Sequence, residues 1–277
     1  MRGLAGTFPD AATLESALDL AGYAPSARNS QPWRWHVDRD AVHLSPDWTR
    51  SLGDADFDRR DVLLSCGAVL NHCVVAFAAA GYRSHVRRFP GAGVLASLEM
   101  AEQAPGAGSI ELAEAIPRRR ADRRRFLDRP IPEGTLELLQ IRAEQCDVRM
   151  AVVPRLRWGR GVEEEMALGY PASSSAHPDD DAVLVALGTD TDTDPTRLRA
   201  GEALSHVTLS AAALGLATCP VTAPLRDVGS RLALACEVFD GDAYPQALIR
   251  LGWPPVDDEP LAPAERRSVA ETTTWAD

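Results

Sequence analysis

The sequence predicts an α+β protein made of two related half-domains, each built around a long buried helix, and three observations carry that expectation. First, "CGAVLNHCVVAFAAAG" (66–81) returns as "AGEALSHVTLSAAALG" (200–215). At a constant offset of 134, Gly67 meets Gly201, Leu70 meets Leu204, His72 meets His206 and Gly81 meets Gly215. Second, "TLESAL" (13–18) is echoed by "TLELLQ" (135–140), at an offset of 122. Third, residues 58–81 are apolar on nearly every face after the first turn, the pattern of a helix at the centre of a fold. The unequal offsets place insertions between matched elements and exclude a short-period solenoid. Two halves of one ancestry, forming an intramolecular pseudo-dimer around central buried helices, are expected. Their boundaries are 1–105 and 110–277, joined by the Gly/Pro-rich "EQAPGAGS" (102–109).

Within the first half, Leu14, Ala17, Leu18 and Ala21 recur at helical spacing, with Asp10 as the N-cap. "WRWHV" (33–37) and "AVHLS" (41–45) read as strands. In the second half, "AVLVALGT" (182–189) and "YPQALIRLGW" (244–253) read as buried strands. Residues 157–181 lack a period and read as a long loop, either a lid over a site or an excursion. The proline-punctuated tail ends in an aromatic residue and is expected to dock.

Composition narrows the function. Of 277 residues 45% are apolar and 25% charged, the balance of a soluble globular protein. No apolar run reaches the ~18–20 residues of a membrane span, and the opening "MRGLAGTFPD" lacks a signal-peptide core, so a cytoplasmic location is expected. The five cysteines are scattered, which favours reduced, mostly buried thiols over disulfides or a metal centre. No paired-histidine or Cys-x-x-Cys spacing supports a metal, and His72 and His206 read as packed helix residues. A net charge of −11 argues against nucleic acid as a partner. All 29 basic residues are arginine, so neither a Schiff-base lysine nor a lysine-bearing phosphate loop is available. Any bound anion is held by guanidinium groups or backbone amides.

The halves have diverged in complementary ways. The first ends its opening helix with "APSARNSQPW" (24–33), a run of small and polar residues that makes poor core and a poor turn. The second has only "IRAEQCDVRMAVV" (141–153) at the equivalent place. The second is preceded by "IPRRRADRRRF" (116–126), for which the first has no counterpart. Each half has lost one ligand-holding segment, a pattern that fits a single site assembled between the two.

These segments resemble the nitroreductase-like FMN-binding family. "PSARNSQPW" is similar to its P-S-x-x-N-x-Q-P-W signature, and "RRADRRRF" (119–126) to its R-R-[ST]-x-R-x-F segment. "GLATCPVTAP" (215–224) is similar to its G-[LI]-x-x-x-P-[IV] stretch, and "ERRSVAE" (265–271) to its basic C-terminal segment. The internally duplicated chain resembles the single-chain, Acg-type branch, in which a pseudo-dimer keeps one flavin site.

The resemblance implies FMN as cofactor. Arg119 or Arg120, with Arg123, matches the family's phosphate and ribityl contacts, and Arg266 or Arg267 its C-terminal basic contact. Pro25, Ser26 and Asn29 match residues that reach the same cofactor from the other half. Gln31 matches a weaker contact that also fixes the segment to the core, and Arg28 adds a charge near the phosphate or closes an entry. Pro220, Val221 and Thr222 match the backbone beside the flavin's redox edge. Two departures bear on electronics and nicotinamide access: Ala121 replaces a hydroxyl residue, and Thr222-Ala223 replaces Glu-Gly. The resemblance implies an oxidoreductase using NAD(P)H and a small organic acceptor (nitroaromatic, quinone, enone or natural-product intermediate), with no catalytic side chain required. The alternative in the same branch is a protein that sequesters FMN without turnover. A monomeric pseudo-dimer is expected.

Overall fold

Asp10 opens the first helix by accepting the Thr13 N–H at 2.8 Å, satisfying an amide that a helix N-terminus leaves without an internal partner. The computed structural model describes residues 8–154, 182–256 and 261–276. The order is α1 (Ala11–Ala21), β1 (Trp33–Val37), β2 (Ala41–Pro46), α2 (Asp56–Ala79), β3 (Tyr82–Gly91), β4 (Val94–Glu102) and α3 (Ala107–Ala115). Next come α4 (Thr135–Glu144), β5 (Arg149–Val152), β6 (Val183–Thr189), α5 (Asp194–Ala213), β7 (Ala217–Val221), α6 (Val228–Phe239) and β8 (Tyr244–Gly252). The tail forms α7 (Val269–Thr272) and β9 (Thr273–Trp275).

These elements fall into two units, Met1–Pro117 with Ala264–Asp277, and Arg118–Pro263. The first holds a five-stranded sheet in the order β3-β4-β2-β1-β9. Strand alternation turns Trp33, Trp35 and Val37 inward and Arg34 and His36 outward. Opposite them on β2, Val42 and Leu44 are fully buried. α2 packs on this sheet and on α1, and Cys66, Leu70, His72 and Cys73 have no exposed surface. Burial drives both cysteine thiols upward, with the Asp47 charge adding to the effect at Cys66.

The second unit holds a four-stranded antiparallel sheet, β5-β6-β8-β7. Its core gathers Val153, Leu184, Cys219, Val221, Leu234 and Leu248. α4 packs on α5 as α1 packs on α2. The plan repeats: α1-β1-β2-α2-β3-β4 matches α4-β5-β6-α5-β7-β8, and the sheet order β1-β2-β4-β3 matches β5-β6-β8-β7. The second unit differs by inserting α6 between its last two strands.

The structure corrects three expectations. The tail 264–277 belongs to the first unit, not the second, because β9 pairs in parallel with β1 through Trp35–Thr273 and Val37–Trp275. The boundary falls at 117/118 rather than at 105/110, since residues 107–109 already belong to α3. Among the described residues one helix, Asp56–Ala79, does meet the length and apolarity of a membrane span; 78% of its apolar 18-residue window is buried by the protein itself, as befits a core helix. Histidines 72 and 206 lie on corresponding helices and are packed there as expected, His72 with no exposed surface and donating its Nδ1–H to the Ala68 carbonyl at 3.0 Å, His206 largely buried. The candidate lid at 157–181 lies outside the described residues.

Candidate functional site

In the first unit, the candidate site is the bend between α1 and β1. After Ala24 the backbone makes a short turn at Ala27–Asn29, where Arg28, Asn29 and Gln31 all take left-handed conformations, with φ of +47°, +56° and +47°. Nearly every carbonyl along the bend is engaged. The Ser26 and Ala27 carbonyls accept the Asn29 and Ser30 amides, each at 3.0 Å. The Ser30 carbonyl accepts Arg50 Nε, the Gln31 and Trp33 carbonyls accept Arg267 Nη1, and the Pro32 carbonyl accepts the Asp47 amide and the Cys66 thiol. The N–H groups of Ser26 and Arg28, in contrast, have no partner among the described residues. The bend therefore keeps two backbone donors available while most of its acceptors are satisfied.

Its expected ligand residues are themselves woven into this scaffold. Ser26 Oγ accepts the Gln31 amide at 3.0 Å. The Asn29 side chain donates to the Glu265 carbonyl and accepts from Arg266 Nη1, both at 3.0 Å. Gln31 Oε1 accepts the Arg267 amide at 2.8 Å. Arg266 also donates to the Tyr23 carbonyl at 3.3 Å. Pro25 is half-buried beside them, while the Arg28 side chain is exposed and makes no bond among the described residues.

Asp47 anchors the underside. Burial raises its carboxyl, but hydrogen bonds from Thr49 and Arg34, helped by the charges of Arg34 and Arg267, outweigh this and hold it below the ordinary range. Burial lowers Arg267, and the neighbouring Arg50 charge lowers it further, with Asp47 and Glu271 opposing. Arg50 and Asp47 escaped the sequence reading. An acid and a base in the short turn after an otherwise apolar strand, "SPDWTR", were the available signal.

In the second unit, the arginine segment lies along the edge of β7. The Asp122 amide donates to the Thr218 carbonyl at 2.9 Å, and Leu127 pairs with Trp253. Asp122 accepts Arg124 Nε at 3.0 Å and Nη2 at 2.8 Å. Arg250, on β8, donates to the carbonyls of Asp122 and Arg124 and lies 4.5 Å from the Phe126 ring centroid. Phe126 sits on Gly252, where an added Cβ would lie 2.7 Å from the ring. Arg119 is 4% exposed, and Arg120 Nη1 donates to its carbonyl. Arg123 is half-buried and forms no hydrogen bond or ion pair among the described residues. Arg250 was also missed from sequence; a lone charge inside the apolar strand "ALIRLGW" was its signal, because a buried charge demands partners.

Pro220 and Val221 end β7, and Thr222 follows. The Thr218 carbonyl points away from β8, toward Asp122, so ladder alternation turns Pro220 and Thr222 to the same open edge. Proline brings no N–H, which leaves Thr222 as the next donor there.

Two relatives from Mycobacterium tuberculosis extend over nearly the whole chain. One, provisionally named an NAD(P)H nitroreductase, is 36% identical across 97% of this chain and 93% of its own. The other, the acg protein, carries the same provisional name and is 31% identical across 93% and 94%. The chain belongs to the nitroreductase-like family. No family model matches it. The fold agrees: a crystal structure described as a nitroreductase from Anabaena variabilis superposes with a TM-score of 0.65, covering 90% of both chains at 12% identity.

For this nitroreductase-like chain, the structure groups the predicted site residues by unit. It joins Ser26, Asn29 and Gln31 to Arg266 and Arg267, where the sequence had placed the last two with the arginine segment of the second half. It brings Arg119, Arg120 and Arg123 to the edge of the strand that carries Pro220 and Val221.

Proposed function

We propose that this chain is an FMN-dependent oxidoreductase that takes reducing equivalents from NAD(P)H and passes them to a small organic acceptor, acting in the cytoplasm as a monomeric pseudo-dimer of two homologous halves. The observation that carries the reading is the donor set. A flavin nucleotide presents a dianionic phosphate, ribityl hydroxyls and a ring edge rich in acceptors, and the residues present suit it. Arg123 offers a guanidinium with no competing bond among the described residues, in a segment that also carries Arg119 and Arg120. The bend offers the N–H groups of Ser26 and Arg28 with most of its carbonyls already engaged. Names of the relatives support the same activity.

Roles follow from chemistry. Arg119, Arg120 and Arg123 hold phosphate, where charge-assisted and forked hydrogen bonds are strongest. Ser26, Arg28 and the second amide hydrogen of Asn29 donate to acceptors on the nucleotide, and Pro25 keeps the approach free of side-chain bulk. The Thr222 N–H donates toward the redox edge. When bound, FMN supplies the hydride and electron transfer, and the protein supplies orientation and hydrogen bonding.

The test is direct. Purified protein loaded with FMN is expected to be yellow, to bleach on anaerobic addition of NADPH or NADH, and to regain colour when a quinone or nitroaromatic is added. Persistent yellow with both nicotinamides replaces the enzyme by a flavin-sequestering protein. Failure to bind FMN removes the reading altogether.

A further inference from the structure

Three left-handed residues within four positions, none of them glycine, need an external hold. Each such conformation costs an L-residue about 1–2 kcal/mol, least for asparagine, and Arg28 and Gln31 have no asparagine-like relief. Local bonding accounts for only part of the hold: Ser26 Oγ on the Gln31 amide, and two turn bonds between backbone groups. Arg50 holds the Ser30 carbonyl and Ser65 the Ala27 amide, and the largest group of further bonds comes from one short piece of chain more than 230 residues away. Glu265 receives the amides of Asn29 and Gln31 on its carbonyl, Arg266 reaches Asn29 Oδ1 and the Tyr23 carbonyl, and Arg267 meets Gln31 with both its amide and its guanidinium. Two side-chain amides thus pair with the tail as a strand would.

The far end of the tail is anchored. Ser268 caps α7 through Glu271, whose carboxylate accepts the Ser268 amide and hydroxyl, each at 2.8 Å. Arg267 Nη2 ties back to the Glu271 carbonyl at 2.8 Å. β9 then runs parallel to β1, and the Ala276 amide closes on the Val37 carbonyl. Strain in the bend is carried by a ladder in the same sheet that the bend feeds.

We infer that residues 265–267 form a strap that holds the 25–31 bend in its donor-presenting conformation, so that Arg266 and Arg267 act on the flavin through Asn29 and Gln31 and not by touching its phosphate. This rests on the FMN reading for its consequence, though the strap itself is a property of the protein without ligand. Both arginines are positioning residues. The spent donors of Arg267, on the carbonyls of Gln31, Trp33 and Glu271, are what a phosphate would otherwise have received.

Two measurements decide it. In protein free of flavin, Arg266→Ala and Arg267→Ala are expected to speed hydrogen exchange at the Asn29, Ser30 and Gln31 amides about tenfold, equivalent to about 1.4 kcal/mol of local opening. In flavin titrations the same variants should weaken FMN and riboflavin by equal factors, because riboflavin differs by lacking the phosphate. Arg123→Ala is the contrasting control, weakening FMN alone. In a double-mutant cycle, Asn29→Ala with Arg266→Ala should lose no more affinity than the worse single variant. Should the alanine variants fail to fold, Arg266→Lys and Arg267→Lys keep the charge but lose the fork, and should show the same changes at smaller size. Loss confined to FMN, with exchange in the bend unaltered, overturns the strap in favour of direct phosphate contact. If the wild-type protein binds neither flavin, the FMN reading fails, and the exchange result still decides the strap.

Discussion

Gly81 and Gly215 close the two long helices in the same left-handed conformation, with φ of +92° and +81°. Each follows the last turn of its helix and hands the chain to a strand. Gly215 donates to the Ala212 carbonyl, and Leu216 reaches back to Ala211 at 2.9 Å, the bonding that a glycine helix stop permits. An added Cβ would meet nothing closer than 3.8 Å at Gly81 or 3.9 Å at Gly215. The demand is conformational, not steric. Gly81→Ala and Gly215→Ala are each expected to cost about 1 kcal/mol, read as a lower urea midpoint with an unchanged slope.

Gly252 tests the seating of the arginine segment. A methyl group there would stand 2.7 Å from Phe126 Cδ2 and 3.0 Å from its Cβ. Gly252→Ala should therefore displace Phe126 and lower stability by roughly 1–3 kcal/mol, the range for overpacking. FMN affinity should fall with it, since Arg119, Arg120 and Arg123 belong to the same segment. Arg123→Ala should instead leave the melting temperature nearly unchanged while weakening FMN about tenfold or more, as expected for a lost charged hydrogen bond.

Asp192 holds α5, α6 and β8 together through Arg197 at 2.8 Å, Arg231 at 2.7 Å and Gln246 at 3.2 Å. Burial raises its carboxyl, but these three hydrogen bonds and the Arg231 charge outweigh it and leave it well below the ordinary carboxylate range. A depressed carboxylate contributes stability that is complete above its unfolded value near 3.8 and lost as pH falls below it. Asp192→Asn should cost about 2–3 kcal/mol at neutral pH and flatten the denaturation profile at the acid end.

His206 sets a second, higher window. Burial, aided by the Arg142 charge, lowers it from 6.5 to about 4. Between those values the unfolded chain binds the proton and the folded chain does not, so stability rises with pH from 4 to 6.5 and is flat above. Replacing His206 with Gln should remove that slope, a loss on the order of a few kcal/mol across the window, measured as urea midpoints at pH 4.5, 5.5 and 7.

The local chemistry of the chain was enough to place its first helix, its two long helices and the strands β1, β2, β6 and β8. Residues 66–81 and 200–215 carry their burial in their composition, Asp10 caps through a residue three positions on, and the small, polar run 24–33 announces a segment built to meet something. These are short-range facts, and sequence order preserves them. The partners of the charged groups lay beyond that reach. Arg266 meets Asn29 and Arg267 meets Gln31 across separations of 237 and 236 residues; the tail adds its strand to the first sheet; Arg250 clamps a segment more than 120 residues earlier. A guanidinium donates to almost any carbonyl or carboxylate within reach, so its residue type names a need without naming the group that fills it. Folding, by bringing particular oxygens within hydrogen-bonding distance, made that choice.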